Sequence, residues 1–181
     1  LPAFRQSVIL ARDAGIDLSR QTLIHVMLRA GGLLQALMPA VKRDLFDGRY
    51  IQADETPVPC QVPESSGRNH QAYMWEYSRP GGPVVFEFKM SRGREGPQEF
   101  LRGFTGVLQS DGYAAYDKLG DGIEYAACLV HARREFHRAH QRQPLDPRPL
   151  EILDRIGQLY AVEAQARSQG MKAEQRWELR Q

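Results

Sequence analysis

At 181 residues and 20.6 kDa the chain has the size of one ordinary domain with a small appendage. Its 42% hydrophobic and 25% charged content allows a real core and excludes disorder throughout. No apolar run approaches the roughly 20 residues that span a bilayer, and the start Leu1-Pro2-Ala3-Phe4-Arg5 lacks the basic-then-apolar order of a signal peptide. A chain that opens without Met is expected to be a piece of a longer protein. Net charge is only +2, so total charge does not mark a nucleic-acid binder. Two cysteines, Cys60 and Cys128, are too few for a disulfide framework, and a reducing cytoplasm is the default expectation.

Residues 1–48 read as helical. Phe4, Val8, Ile9 and Ala11 lie on helical spacing and Gly15 ends that pattern. Ser19 is a good N-cap for a second helix with Leu23, Ile24, Met27 and Leu28 on one face. Gly31-Gly32 is expected to interrupt it before a third segment from Leu33 to Leu45. Helix, glycine turn and Ser-capped helix give the outline of a helix-turn-helix. Any two short packed helices share that outline, and a brace for the next domain is the preferred reading.

Residues 49–143 alternate differently. Strand-like runs cover Tyr50 to Thr56, closed by Pro57 and Pro59, then Ala72 to Ser78, and Val84 to Met90. Arg79-Pro80-Gly81-Gly82-Pro83 has the chemistry of a hairpin loop. A short helix is expected from Gly96, a fourth strand from Gly106 to Ser110, and a short helix from Ala114 to Leu119. A fifth strand is expected from Ile123 to Val130, and a basic helix from His131 to about His140. Hairpin-linked strands followed by helix-linked strands imply an α/β fold with a mixed five-stranded sheet. Residues 144–149, with three prolines, read as a stiff connector outside any helix. Beyond them Leu150, Leu153, Ile156, Leu159 and Tyr160 form the stripe of a long helix, Gly170 breaks it, and a last helical piece runs to Gln181.

Two aspartates carry the chemical interest. Asp54 lies inside the first run and Asp111 ends the fourth. A carboxylate inside a β run is unfavourable by propensity, and singly each reads as a strand-end cap or turn former. If strands one and four are neighbours, both carboxylates project at one point of the sheet. They then repel unless a divalent cation lies between them. Such oxygen ligands suit Mg²⁺ or Mn²⁺ and phosphodiester chemistry with two ions about 4 Å apart.

Three motifs in order, Ala53-Asp54-Glu55-Thr56-Pro57-Val58, Gly106-Val107-Leu108-Gln109-Ser110-Asp111-Gly112-Tyr113 and Cys128-Leu129-Val130-His131-Ala132-Arg133-Arg134-Glu135-Phe136, resemble the IS66-family transposases. The resemblance covers nearly the whole chain. It implies a ribonuclease-H-like catalytic core with an Asp-Asp-Glu triad, in which Asp54 matches the first carboxylate and Asp111 the second. It also implies Mg²⁺ or Mn²⁺ as cofactor, double-stranded DNA as partner, a homo-oligomer in the active complex and no membrane role. The third carboxylate, a glutamate, is expected far downstream after a helical insertion, of which residues 144–181 look like the truncated start. Glu135, Glu151 and Glu163 lack the family context, so no third carboxylate is assigned and the fragment alone is expected to be inactive.

Cys128 and His131 form half of a zinc spacing without a second pair; a local contact fixing the following helix is the preferred reading. Arg133, Arg134 and Arg138 on that helix are candidate contacts to DNA phosphates, although a basic run alone reads as a solvated face. Tyr73, Trp75 and Tyr77 alternate as core aromatics do. The competing readings are a non-catalytic DNA-binding or assembly module of the same fold, and a different nuclease.

Overall fold

The computed structural model describes residues 2–62 and 67–180. Its first helix, α1 (Ala3–Ala14), ends where Gly15 takes a left-handed φ of 64°, a conformation glycine reaches without steric cost. Helix α2 (Arg20–Leu34) starts at Ser19, whose Oγ accepts the Thr22 N–H at 3.1 Å. The break expected at Gly31-Gly32 is absent. The helix runs through both glycines and a 3-10 turn, Gln35–Leu37, into α3 (Met38–Asp47). Each glycine costs about 1 kcal/mol in a helix, which the flanking Leu, Ala and Met residues offset. The 28-residue run Arg20–Asp47 is therefore long and apolar enough to cross a membrane by length and composition, correcting the expectation that no segment is.

Five strands follow: β1 (Tyr50–Cys60), β2 (His70–Ser78), β3 (Val84–Lys89), β4 (Gly106–Ser110) and β5 (Ile123–Ala127). Their order is β3-β2-β1-β4-β5, antiparallel from β1 through β3 and parallel across β1, β4 and β5. This mixed α/β sheet flanked by helices is consistent with a ribonuclease-H-like fold. Strand β1 extends through Pro57 and Pro59 instead of stopping before them. Pairing with β4 ends at Gln52, so one edge of β1 is unpaired beyond that point. Alternate residues aim their nitrogens at the same edge. The Glu55 N–H leaves the ladder for the Asp54 carboxylate, and both prolines share its parity, so they cost no ladder bond.

Helix α4 (Glu95–Phe100) and a 3-10 turn, Ala114–Tyr116, connect the later strands; the longer helix expected to Leu119 is only this turn. They cover one face of the sheet together with α3. There Ile51, Ala53, Trp75, Tyr77 and Leu108 meet Leu45, Phe100, Phe104 and Tyr116 in the core. Tyr77 stacks on Phe100 with centroids 3.8 Å apart, so these alternating aromatics are core. The row Val84, Phe86, Phe88 and Met90 faces outward, and Val85 enters the core.

Strand β5 ends at Ala127, three residues early, because Cys128 is already the N-cap of α5 (Leu129–Arg142). Helix α6 (Pro147–Ser168) begins inside the expected connector. Pro147 and Pro149 occupy its first turn, where no N–H has an intrahelical partner, and the Asp146 side chain accepts the Arg148 N–H. Helix α6 packs along α5 and is followed by α7 (Ala173–Leu179). The expected helix end at Gln181 lies outside the described residues.

Candidate active site

The parallel pairing of β1 with β4 sets Gln52 opposite Gln109. Their side chains share a face, and Gln52 Nε2 donates to Gln109 Oε1 at 2.8 Å. Asp54 and Asp111 each stand two residues further along, so strand periodicity aims both at that same face. The register is set at the strand starts. Gly106 has φ 144°, and a Cβ there would lie 2.3 Å from the Arg49 carbonyl oxygen. Only glycine admits that approach, and the Val107 N–H then donates to the same oxygen at 2.9 Å.

Helix α5 delivers His131 over this point. One ligand atom each from Asp54, Asp111 and His131 lie within 4.8 Å of one another. That is well inside the about 8 Å beyond which the carboxylates could not share an ion pair of ordinary spacing. His131 Nε2 is 3.9 Å from Asp54 Oδ2, too long for a hydrogen bond. Asp54 Oδ1 accepts the Glu55 N–H at 2.9 Å, and Asp111 Oδ1 accepts the Tyr113 N–H at 2.9 Å. Both carboxylates are exposed and His131 is half-buried. Gln52, Glu76, Ser78 and Cys128 complete a cleft of about 170 Å³ around Asp54 and His131.

Cys128 lines the cleft but is not one of the three clustered donors, and its N–H donates to the Ser110 carbonyl at 2.7 Å. The pair thus divides: Cys128 ties the start of α5 to the end of β4, and His131 faces the carboxylates. Among the described residues this trio is the one cluster with metal-ligand geometry. Glu135 pairs with Arg138, Glu163 with Arg180, and Glu151 lines a groove between α5 and α6. None of the three stands with the aspartates.

The arginines separate as well. At 100° per residue, Arg134, Arg138 and Arg142 share the helix face of His131. Arg133 lies on the opposite side, in the groove with Pro147, Leu150 and Asp154.

Sequence reasoning missed Glu55. It is the next residue after Asp54, points to the opposite face, and leaves only 1% of its side chain exposed. Arg92 Nε donates to its Oε1 at 2.9 Å, and Tyr116 Oη donates to its Oε2 at 2.8 Å. The bond to Glu55 holds the Arg92 guanidinium above its ordinary pKa. Burial, reinforced by the Glu55 charge, pushes the Tyr116 phenol upward. The signal was available in the period of two: Ile51, Ala53 and Glu55 share the core-facing parity.

A family model described as "Transposase IS66 family" matches residues 1–181. Three proteins of Sinorhizobium fredii (strain NBRC 101917 / NGR234), each called uncharacterized, are similar. Protein y4qI is 32% identical over 198 residues, covering 100% of this chain and 36% of its own length. Protein y4hP is 29% identical, covering 92% of this chain and 34% of its own. Protein y4jD is 31% identical, covering 100% and 38%. The chain thus spans about a third of the length of these curated relatives. No solved structure matches it significantly.

Proposed function

This chain belongs to the IS66 transposase family, and on that premise we propose that it carries the metal-binding half of a DNA-cleaving and strand-transferring active site. The observation behind this reading is the convergence of Asp54, Asp111 and His131 within 4.8 Å, just past the point where β1 and β4 stop pairing. Two exposed carboxylates at that spacing repel, and among the described residues no Lys or Arg is paired with either. A divalent cation relieves the repulsion, and a donor set of carboxylate oxygens fits Mg²⁺ or Mn²⁺. Such ions, when bound, activate the attacking oxygen at a phosphodiester and stabilise the leaving one.

The chain's own groups then have distinct tasks. Asp54 and Asp111 would hold the ions, Asp54 contributing to both positions and Asp111 to one. A glutamate not assigned to any residue here would complete the set. His131 stands beside Asp54 at the same point, its Nε2 3.9 Å from Oδ2. The face of α5 that carries Arg134, Arg138 and Arg142 borders the cleft and attracts the phosphate backbone of double-stranded DNA without reading its sequence. In the full reaction water cleaves the phosphodiester at a transposon end, and the freed 3′-OH attacks target DNA in a homo-oligomeric complex.

Asp54→Asn in the full-length protein tests the reading. Strand cleavage is expected to disappear while DNA affinity stays near the wild-type value. Undiminished cleavage by that variant removes Asp54 from the reaction.

A further inference from the structure

We propose that Glu55, Arg92, Tyr113 and Tyr116 form a clamp on the far side of the sheet that sets the separation of Asp54 and Asp111, a proposal that rests on the metal-site reading above. Asp54 stands on β1 and Asp111 just past the end of β4, and the pairing of the two strands has already ended at Gln52 and Gln109. No ladder bond joins β1 to β4 at the level of the aspartates, so another link must hold the Asp111 loop at a fixed distance from β1.

The clamp supplies that link through one continuous set of contacts. From β1, the Glu55 backbone N–H holds the Asp54 carboxylate at 2.9 Å. Its own side chain turns inward to receive Arg92 and Tyr116. Tyr116 belongs to the turn that follows Asp111, so its bond to Glu55 Oε2 ties the Asp111 loop to β1. Arg92, from the segment after β3, lies 3.9 Å above the Tyr113 ring. The Tyr113 hydroxyl donates to the Arg92 carbonyl at 2.9 Å, and the Tyr113 N–H holds the Asp111 carboxylate at 2.9 Å.

Each aspartate is thus oriented by the backbone of a residue whose side chain enters the same network. An almost wholly buried carboxylate beside an exposed one is costly unless it is fully bonded. Both Glu55 oxygens are bonded on the face of the sheet opposite the aspartates, and Glu55 is not one of the clustered ligand atoms. Its role is positioning, as in the outer layer that orients ligands around many metal centres.

The test uses the full-length protein with Mn²⁺ as probe, followed by the paramagnetic resonance of the free ion, and mass-spectrometric hydrogen exchange of the peptide spanning residues 111–116. Glu55→Gln, Arg92→Lys and Tyr116→Phe are expected to weaken Mn²⁺ binding about tenfold and to speed exchange of that peptide about tenfold. Tyr116→Phe keeps the ring beside Trp75, so it serves if Glu55→Gln does not fold. Asp54→Asn is the control: it should abolish Mn²⁺ binding. Wild type and Asp54→Asn binding Mn²⁺ alike would end the metal reading, and the clamp would then be decided by the exchange rates alone. A folded clamp variant with wild-type exchange at 111–116 overturns the proposal. So does one that keeps wild-type Mn²⁺ affinity when Asp54→Asn loses it.

Discussion

At Glu87, on the inner side of the outermost strand, burial works against charge. One of its oxygens is buried without a hydrogen-bond partner, and Lys89 is 3.9 Å away at its nearest. Burial, the largest cause, raises the carboxyl pKa above its ordinary value. The folded state therefore holds the proton more tightly than the unfolded state does. Glu87 contributes stability below the ordinary carboxylate pKa, and that contribution is lost as pH rises through the folded value. Glu87→Gln keeps the shape and removes the charge. It is expected to raise Tm at pH 7 by about 2 °C, with the gain disappearing near pH 4, as followed by thermal melts at the two pH values. An equal gain at both would mean that charge burial is not the cause. Single residues also mark the limit of sequence reading. Asp54 and Asp111 are visible as acids in unfavourable strand positions, whereas Glu55 beside Asp54 passed unnoticed because its meaning lies in Arg92 and Tyr116, 37 and 61 positions away.

Among the elements, α5 shows how helix phase sorts a basic run that a sequence lists as one cluster. Arg134, Arg138 and Arg142 face the same way as His131, and Arg133 turns toward α6. Arg138 is also engaged by Glu135 across one turn, an exposed pair worth a few tenths of a kcal/mol and readily given up. Replacing Arg134 and Arg142 with Ala is expected to weaken DNA binding about tenfold at low salt and less at high salt. Arg133→Ala should change it little, as read by fluorescence anisotropy across a salt series. An equal loss from Arg133→Ala would mean that DNA approaches from the α6 side. Element types were largely legible because alternation and 3.6-residue spacing report local burial. Their ends were less so. Gly31-Gly32 and the prolines at 57, 59, 147 and 149 all resemble breaks, yet each sits where its backbone cost is small. The glycines lie in a long helix of good formers, the strand prolines at an unpaired edge, and the helix prolines in a first turn.

For the whole molecule, the order β3-β2-β1-β4-β5 is what converts two aspartates 57 positions apart into neighbours. The mixed sheet follows from the order of hairpins and helical crossovers along the chain, and the family motifs pointed to the same architecture. The one-residue register between β1 and β4 did not follow from pattern. It depends on the close passage of Gly106 over Arg49, a tertiary contact, and a slip by one residue would turn either aspartate to the opposite face. Likewise, the pattern reads Cys128 and His131 as a local contact that fixes the helix, and only the fold shows His131 beside Asp54. Soaking crystals of the protein in Mn²⁺ and locating the ion by its anomalous scattering tests this convergence most directly. The predicted result is density between Asp54 and Asp111, about 2.2 Å from a carboxylate oxygen of each and absent in Asp54→Asn. Aspartates that remain metal-free at millimolar Mn²⁺, or whose carboxylates turn away from each other, would contradict it.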